Sequence, residues 1–431
     1  MTASEAGFGN IVRAFRARNY RIYVAGNAIS LIGTWLQRVS VGWLAWELTH
    51  SGVWLGLVSF ADLFPTVVLS PLAGALADRR DRIWVLRRTQ FAGMVQASLL
   101  AALTLIGAIE IWSLFLLTLV LGACNAMAQP ARLALIPSLV DRDTLPSAVA
   151  INSIVFNNAR FIGPALAGVV IARGSAWFPG LPHGGTSLAF ILNALFYVAF
   201  QISLARLDRL VEERQVSSGG RRMLSSTIEG YIYAFRHPGI GPMLVLFMLS
   251  SFAARGFIEM MPGFADAVFE RGREGLGWLV AVTGLGAMAG GLWMARRPGL
   301  DGLTGITVAF TFVLAGALFA FTATTNFWLA LVFLFIAGMA LVVTGIAAQT
   351  LVQSAVDRSM RGRVMGLYGM IFRGGPALNA LLIGIFSSGY GLRLPLAVGA
   401  GICVLLGFWA RWRQRALAHA LEFTPATAAA D

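Results

Sequence analysis

The sequence predicts an all-α membrane protein, with twelve transmembrane helices arranged as two six-helix, pseudo-symmetric bundles. Three observations carry this expectation. Hydrophobic residues make up 57% of the 431 and charged residues only 12%, with a mean hydropathy of +0.74, whereas soluble chains carry roughly 25% charge. Twelve apolar runs approach or exceed the roughly 20 residues that a helix needs to cross a bilayer. Short strings recur at equivalent places in the two halves of the chain.

The runs fall at 22–47, 54–77, 85–108, 113–136, 147–171, 187–205, 243–267, 276–295, 303–323, 327–350, 364–387 and 394–412. Gly and Pro inside them are tolerated in lipid better than in water. The first 20 residues carry Arg13, Arg16 and Arg18 without an apolar core, so no cleaved signal is expected. With the N-terminus placed inside, twenty-four arginines fall in cytoplasmic segments. Only Arg173, Arg271, Arg273 and Arg393 fall outside. That asymmetry predicts a multi-pass membrane protein with both termini cytoplasmic. The expected organisation is a cytoplasmic N-terminal segment 1–21, a bundle over 22–205, a cytoplasmic linker 206–242, a second bundle over 243–412 and a cytoplasmic tail 413–431. The linker holds Ser217-Ser218-Gly219-Gly220-Arg221-Arg222 and an amphipathic stretch from Met223 to Arg236.

Internal repetition supports the two-bundle reading. Ser138-Leu-Val-Asp141-Arg142 after span four recurs as Ser354-Ala-Val-Asp357-Arg358 after span ten, 216 residues later. Gly163-Pro164-Ala165-Leu166 in span five recurs as Gly375-Pro376-Ala377-Leu378 in span eleven. A parallel six-span repeat implies two bundles facing each other across a midplane cavity, the architecture of alternating access.

Composition excludes several function classes. All 33 basic residues are arginine, so the chain has neither a lysine-containing phosphate-binding loop nor a Schiff-base lysine. Cys124 and Cys403 lie in apolar runs, and His50, His183, His237 and His419 lack metal-ligand spacing. No metal and no cofactor is therefore expected, and no enzyme. The formal charge of +13 is spread between apolar runs rather than gathered on one soluble face, which argues against nucleic-acid binding. Gly284-Leu-Gly286-Ala-Met-Ala-Gly290 lies within a span with no preceding strand, so it reads as small-residue helix packing.

The candidate functional residues are the charges deep in the spans: Arg38, Asp62, Arg132, Arg160, Arg255, Glu259 and Arg373. Each costs about 2.5–3.5 kcal/mol at a bilayer centre, so such groups face a partner or a wet cavity. Arg38 and Asp62 both fall roughly 12–14 Å below the outer surface at 1.5 Å per residue, and a pair between spans one and two is expected. Arg255 and Glu259, four apart, are expected to pair within span seven. Two readings stay open for each pair: mutual neutralisation that fixes packing, or a carboxylate that exchanges a proton and releases its arginine. The sequence shows no obvious carboxylate at the depth expected for Arg160. The positive excess points to an anionic or polar substrate. Asn152, Asn157, Asn158, Gln349 and Gln353 read either as interhelical glue or as substrate hydrogen-bonding groups.

Gly74-Ala-Leu-Ala-Asp78-Arg79-Arg80-Asp81-Arg82, between spans two and three, resembles the signature loop of the major facilitator superfamily. The resemblance implies the major facilitator fold. It also implies that Gly74 allows close helix contact, that Asp78 bridges to a neighbouring helix end and that Arg79 and Arg82 hold an inward gate closed. Gly163-Pro164-Ala-Leu-Ala167-Gly168 is similar to the superfamily's antiporter motif, in which the Gly-Pro pair bends the helix. Asn19-Tyr20-Arg21, Gly33-Thr34-Trp35-Leu36-Gln37-Arg38, Pro130-Ala131-Arg132, Asn152-Ser153 and Arg361-Gly362-Arg363-Val364-Met365 resemble the bacterial branch of enterobactin exporters and macrolide-efflux proteins. What this implies is proton-driven export of a siderophore- or drug-like small molecule by alternating access. The expected partners are that substrate, protons and membrane lipids, with the chain a monomer. An uptake carrier or lysophospholipid flippase on the same fold is the alternative, and a non-transporting membrane receptor a more distant one.

Overall fold

A computed structural model describes residues 13–178, 180, 182–208, 220–297, 299–357 and 359–422. Within these, only the backbone of 70–72, 74, 75, 77–79, 175 and 220–227 is described. The described residues form helices without strands. In chain order these are α1 (Arg18–Thr49), α2 (Gly52–Arg79), α3 (Arg82–Leu105), α4 (Ile111–Leu135), α5 (Leu145–Trp177), α6 (Gly184–Ala205) and α7 (Gly220–Arg236). Then follow α8 (Ile240–Ala254) with an irregular continuation to Val268, α9 (Gly272–Ala295), α10 (Leu303–Ala323), α11 (Phe327–Ala355), α12 (Arg361–Tyr390) and α13 (Arg393–Leu421). Spans one to six are α1–α6, span seven is α8 with its continuation, and spans eight to twelve are α9–α13. Several helices outrun their apolar runs by one or two turns, because backbone hydrogen bonding continues past the hydrocarbon edge.

By length and composition ten of these helices, among the described residues, are apolar enough to cross a membrane; the linker helix α7 falls outside that set, and so do α1 and α3. The polar residues these two helices carry pair with each other. Ser30 donates to Gln90 Oε1 at 2.9 Å, Gln37 Nε2 donates to Gln96 Oε1 at 2.9 Å, and Asn193 of α6 donates to Gln37 Oε1. Ser30, Gln37, Gln90, Gln96 and Asn193 are all buried. This interhelical ladder gives each side chain at least one partner, which lowers the cost of polar groups in hydrocarbon, while Gln96 Nε2 and Asn193 Oδ1 make no hydrogen bond among the described residues. Tyr20 and Tyr23 of α1 add hydroxyl donors to the carbonyls of Ala148 at 2.8 Å and Arg132 at 3.2 Å.

The chain forms two compact bodies, Met1–Thr49 with Phe64–Ser218, and His50–Leu63 with Gly219–Asp431. In the second body the opening turns of α2 pack on α12. A Cβ on Gly56 would sit 2.6 Å from the Ala380 carbonyl, and one on Gly384 would sit 2.5 Å from the Gly52 carbonyl. Backbones this close are possible only with small residues at the crossing.

The repeated strings occupy matching places in their own bodies. Gly163 of α5 abuts Trp35 and the Ile32 carbonyl of α1, and Gly375 of α12 abuts Ser251 of α8. Each glycine thus seats the fifth helix of its half on the first. Both following prolines lie inside unbroken helices, α5 of 33 residues and α12 of 30 residues. Gly168 is buried on the same helix as Gly163. Gly290 brings α9 against the Met339 carbonyl of α11, at 2.7 Å for an added Cβ, so the Gly284–Gly290 string is a packing surface.

The amphipathic stretch of the linker is helix α7. Gly230 and Ala234 are buried, Ile228, Ile232 and Phe235 are exposed on the opposite side, and Glu229 pairs with Arg363 at 3.2 Å. His237 then caps α8, its Nδ1 accepting the Gly239 and Ile240 amides at 3.2 Å. Burial holds this imidazole below its ordinary pKa, with Asp357 opposing the shift. The neutral ring is the form that can accept both amides.

Candidate functional site

In the first body two of the intramembrane charges share one indole. The Trp35 ring of α1 has the Arg38 guanidinium 5.2 Å from its centroid and the Arg160 guanidinium of α5 at 5.7 Å. Phe156, one turn before Arg160, meets Trp35 edge-on at 6.4 Å. Helical spacing accounts for the grouping. Trp35 and Arg38 are three apart on α1, and Phe156 and Arg160 are four apart on α5, so each pair shares a helix face. Each cation over an indole contributes about 0.5–2 kcal/mol, more where water is scarce. Two guanidinium groups share one ring, and all three side chains are half-buried.

Arg132, the other deep charge of this body, is structural in its contacts. It is 7% exposed, and its guanidinium lies 5.6 Å from the Phe200 ring inside the bundle. Asn152 accepts from Asn27 at 3.4 Å, and Asn157 donates to the carbonyl of Ser153 on its own helix at 2.8 Å. Of the signature loop, Arg82 donates to the Ala134 carbonyl at 2.8 Å, capping the last turn of α4. The side chains of Asp78 and Arg79, and the surroundings of Gly74, lie outside what is described.

The second body holds both intramembrane carboxylates, Asp62 and Glu259, together with Arg255. Arg38 and Asp62 thus belong to different bodies. Arg255 is 6% exposed. Its Nη2 donates to Thr344 Oγ1 at 2.9 Å and to the Leu341 carbonyl at 3.4 Å, while the guanidinium stacks 4.5 Å from the Phe247 ring. Tyr368 backs Phe247 at 4.6 Å, nearly parallel, and donates its hydroxyl to the Gly345 carbonyl at 2.9 Å. Glu259 accepts from Ser59 Oγ at 3.4 Å.

The expected pairing of Arg255 with Glu259 is corrected by these contacts, since the structure gives the two side chains separate partners. The reason is local. Residues Arg255–Met260 wind as a 3₁₀ segment rather than an α-helix, followed by Met261–Gly263 in α-helical form and Phe264–Val268 in π-helical form. With three residues per turn, positions four apart point about 120° away from each other instead of sharing a face. Thr344, Tyr368, Phe247 and Ser59 were not legible as site residues, because an isolated hydroxyl or aromatic in an apolar run carries no periodic signal.

Two histidines lie beside carboxylates at helix ends. His183 Nδ1 stands 3.2 Å from Glu47, whose other oxygen accepts from Trp43 Nε1 at 3.0 Å, and His50 stands 3.9 Å from Asp266. Among the described residues no cluster of His, Cys, Asp or Glu could hold a metal ion.

The profile of the transmembrane secretion effector family, a branch of the major facilitator superfamily, matches residues 12–423. The chain belongs to the major facilitator superfamily. Its relatives in this superfamily include the enterobactin exporter EntS of Escherichia coli, 27% identical over 92% of this chain and 93% of that protein. A staphyloferrin A transporter of Staphylococcus aureus is 32% identical, over 35% of this chain and 38% of that protein. Among solved structures, a bacterial homologue of the human lysosomal transporter Spinster superposes with a TM-score of 0.73 at 16% identity, covering 94% of this chain and 99% of that one. As a major facilitator superfamily member the chain is a multi-pass membrane transporter of small molecules and not an enzyme.

Proposed function

We propose that this transporter exports a siderophore- or drug-like small molecule, anionic or polar, across the bacterial inner membrane in exchange for protons by alternating access. The observation that carries the reading is the pair of guanidinium groups, Arg38 and Arg160, sharing the Trp35 indole. A cationic, aromatic-backed site suits a planar or polydentate anion, which can accept charge-assisted hydrogen bonds from both arginines at once. Asp62 and Glu259 are the proposed proton carriers, because a carboxylate within the membrane is costly unless it works or is paired. Gly74, Asp78, Arg79 and Arg82 are the proposed gate, with Gly163, Pro164 and Gly168 the helix element that favours export. Both termini lie in the cytoplasm on the arginine asymmetry, and the working unit is a monomer in contact with membrane lipids.

Export is supported by the name of the enterobactin exporter EntS, which is similar over nearly the whole chain. The test is proton-driven flux in inside-out vesicles set against uptake by whole cells, with enterobactin and staphyloferrin A as probes. Accumulation of a probe in energised inside-out vesicles is the expected result. Accumulation only in whole cells overturns the direction and makes the chain an uptake carrier.

A further inference from the structure

Span seven leaves α-helical bonding after Ala254, and a single side chain occupies the place of the first lost hydrogen bond. In an uninterrupted helix the Gly256 amide would donate to the Phe252 carbonyl, four residues earlier. Here the Gly256 amide donates instead to Asn379 Oδ1 at 2.6 Å, and Asn379 Nδ2 donates to the Phe252 carbonyl at 2.7 Å. One carboxamide from α12 has replaced both partners of one backbone bond. The bond before it is intact, since the Arg255 amide still donates to the Ser251 carbonyl. The 3₁₀ segment begins at Arg255. Asn379 is 4% exposed, and a Cβ on Gly256 would lie 2.6 Å from both Asn379 Oδ1 and the Ala380 amide nitrogen. Insertion of a side chain into the backbone ladder is an established cause of helix kinks.

We infer that Asn379 is a positioning residue for transport, acting as a splint that holds span seven broken and thereby sets where Arg255 and Glu259 point. With the splint in place, Arg255 turns to Thr344 and Phe247 while Glu259 turns to Ser59. With it withdrawn, the Phe252–Gly256 bond closes and the segment winds as an α-helix. Arg255 and Glu259 then come onto one face, four apart, where they can pair. The same carboxamide is satisfied in the first arrangement and the backbone is satisfied in the second, so the segment has two discrete states of the kind that switching requires. In the first half of the chain the equivalent position, after Gly163-Pro164-Ala165-Leu166, is Ala167. Ala167 has no group to insert, and α1 runs unbroken from Arg18 to Thr49. The splint is therefore a feature that distinguishes one half from the other.

Pro262 is the competing cause of the break, because it removes the hydrogen bond to the Ile258 carbonyl. Spin labels at Leu249→Cys and Ala267→Cys, with Cys124 and Cys403 replaced by serine, report the shape of span seven in the full-length protein in lipid nanodiscs. Asn379→Leu is expected to move the label distance toward the about 27 Å of eighteen α-helical residues, whereas Pro262→Ala leaves it at the wild-type value. A wild-type distance in Asn379→Leu overturns the inference, as does straightening by Pro262→Ala alone.

Asn379→Asp supplies a second arm should the leucine variant fold poorly. Ionised, the carboxylate can accept from Gly256 but cannot donate to Phe252. Protonated, it can do both. Its label distance is expected to return to the wild-type value as pH falls from about 9 to about 5, while wild type stays constant. A pH-independent wild-type distance in Asn379→Asp also overturns the inference. Neither measurement uses cargo or a proton gradient, so failure here is separate from failure of the export reading.

Discussion

Glu259→Gln is expected to stop proton-driven flux while leaving cargo-for-cargo exchange close to wild type. Glutamine keeps the oxygen that accepts from Ser59 and nearly the same shape, so the contact at 3.4 Å and the local packing survive. The titrating group and the charge of its ionised form are lost. If the carboxyl must charge and discharge once per cycle, net flux driven by a pH gradient falls by at least about tenfold, the equivalent of about 1.4 kcal/mol. Exchange at equal pH on both sides does not require the proton and persists. The measurement is the ratio of the two fluxes in proteoliposomes, with enterobactin and staphyloferrin A as probes. Asp62→Asn belongs in the same experiment: normal export with intact proton dependence excludes Asp62 from coupling, and the same result for Glu259→Gln excludes Glu259.

Arg160→Gln and Trp35→Leu are expected to weaken cargo binding without unfolding the first body. A hydrogen bond to a charged group contributes about 1.5–3 kcal/mol, so loss of the Arg160 guanidinium weakens affinity by about 10- to 150-fold. Trp35→Leu removes the ring that orients both guanidinium groups, at 5.2 and 5.7 Å. Arg160→Lys is the informative control. It preserves charge but not the planar fork, so an intermediate affinity is expected if geometry as well as charge recognises the cargo. Binding measured by tryptophan fluorescence in the Arg160 variants checks this. Wild-type affinity in Arg160→Gln contradicts a cargo role for the indole site.

The apolar runs were legible residue by residue because hydropathy in lipid is a requirement on composition, not on pairing. The run 303–323 coincides with α10 at both ends, and the linker helix was visible in the alternation from Met223 to Arg236. The repeat was legible because Gly163 and Gly375 are needed for the same backbone approach in each half. What stayed hidden depends on residues distant in sequence. The carboxamide ladder of Gln37, Gln96 and Asn193 joins three helices, and nothing in any one of them marks its partners. The Arg255–Glu259 pairing was expected from four-residue spacing, which presumes an α-helix. Gly256 and Pro262 are local signals against that presumption, but Asn379, the group that opens the ladder, lies 123 residues from Gly256. The first-body site was half legible: Arg38 and Arg160 stood out as charges in apolar runs, whereas Trp35 read only as part of a motif.

The most direct test of coupled transport is the movement of protons that cargo itself drives. Purified protein in liposomes holding a trapped pH indicator, with equal pH on both sides, is given enterobactin or staphyloferrin A outside. Entry of cargo accompanied by proton efflux, absent in Glu259→Gln, is the expected result. Cargo entry at the wild-type rate with no change in internal pH would contradict proton antiport and the role assigned to the intramembrane carboxylates.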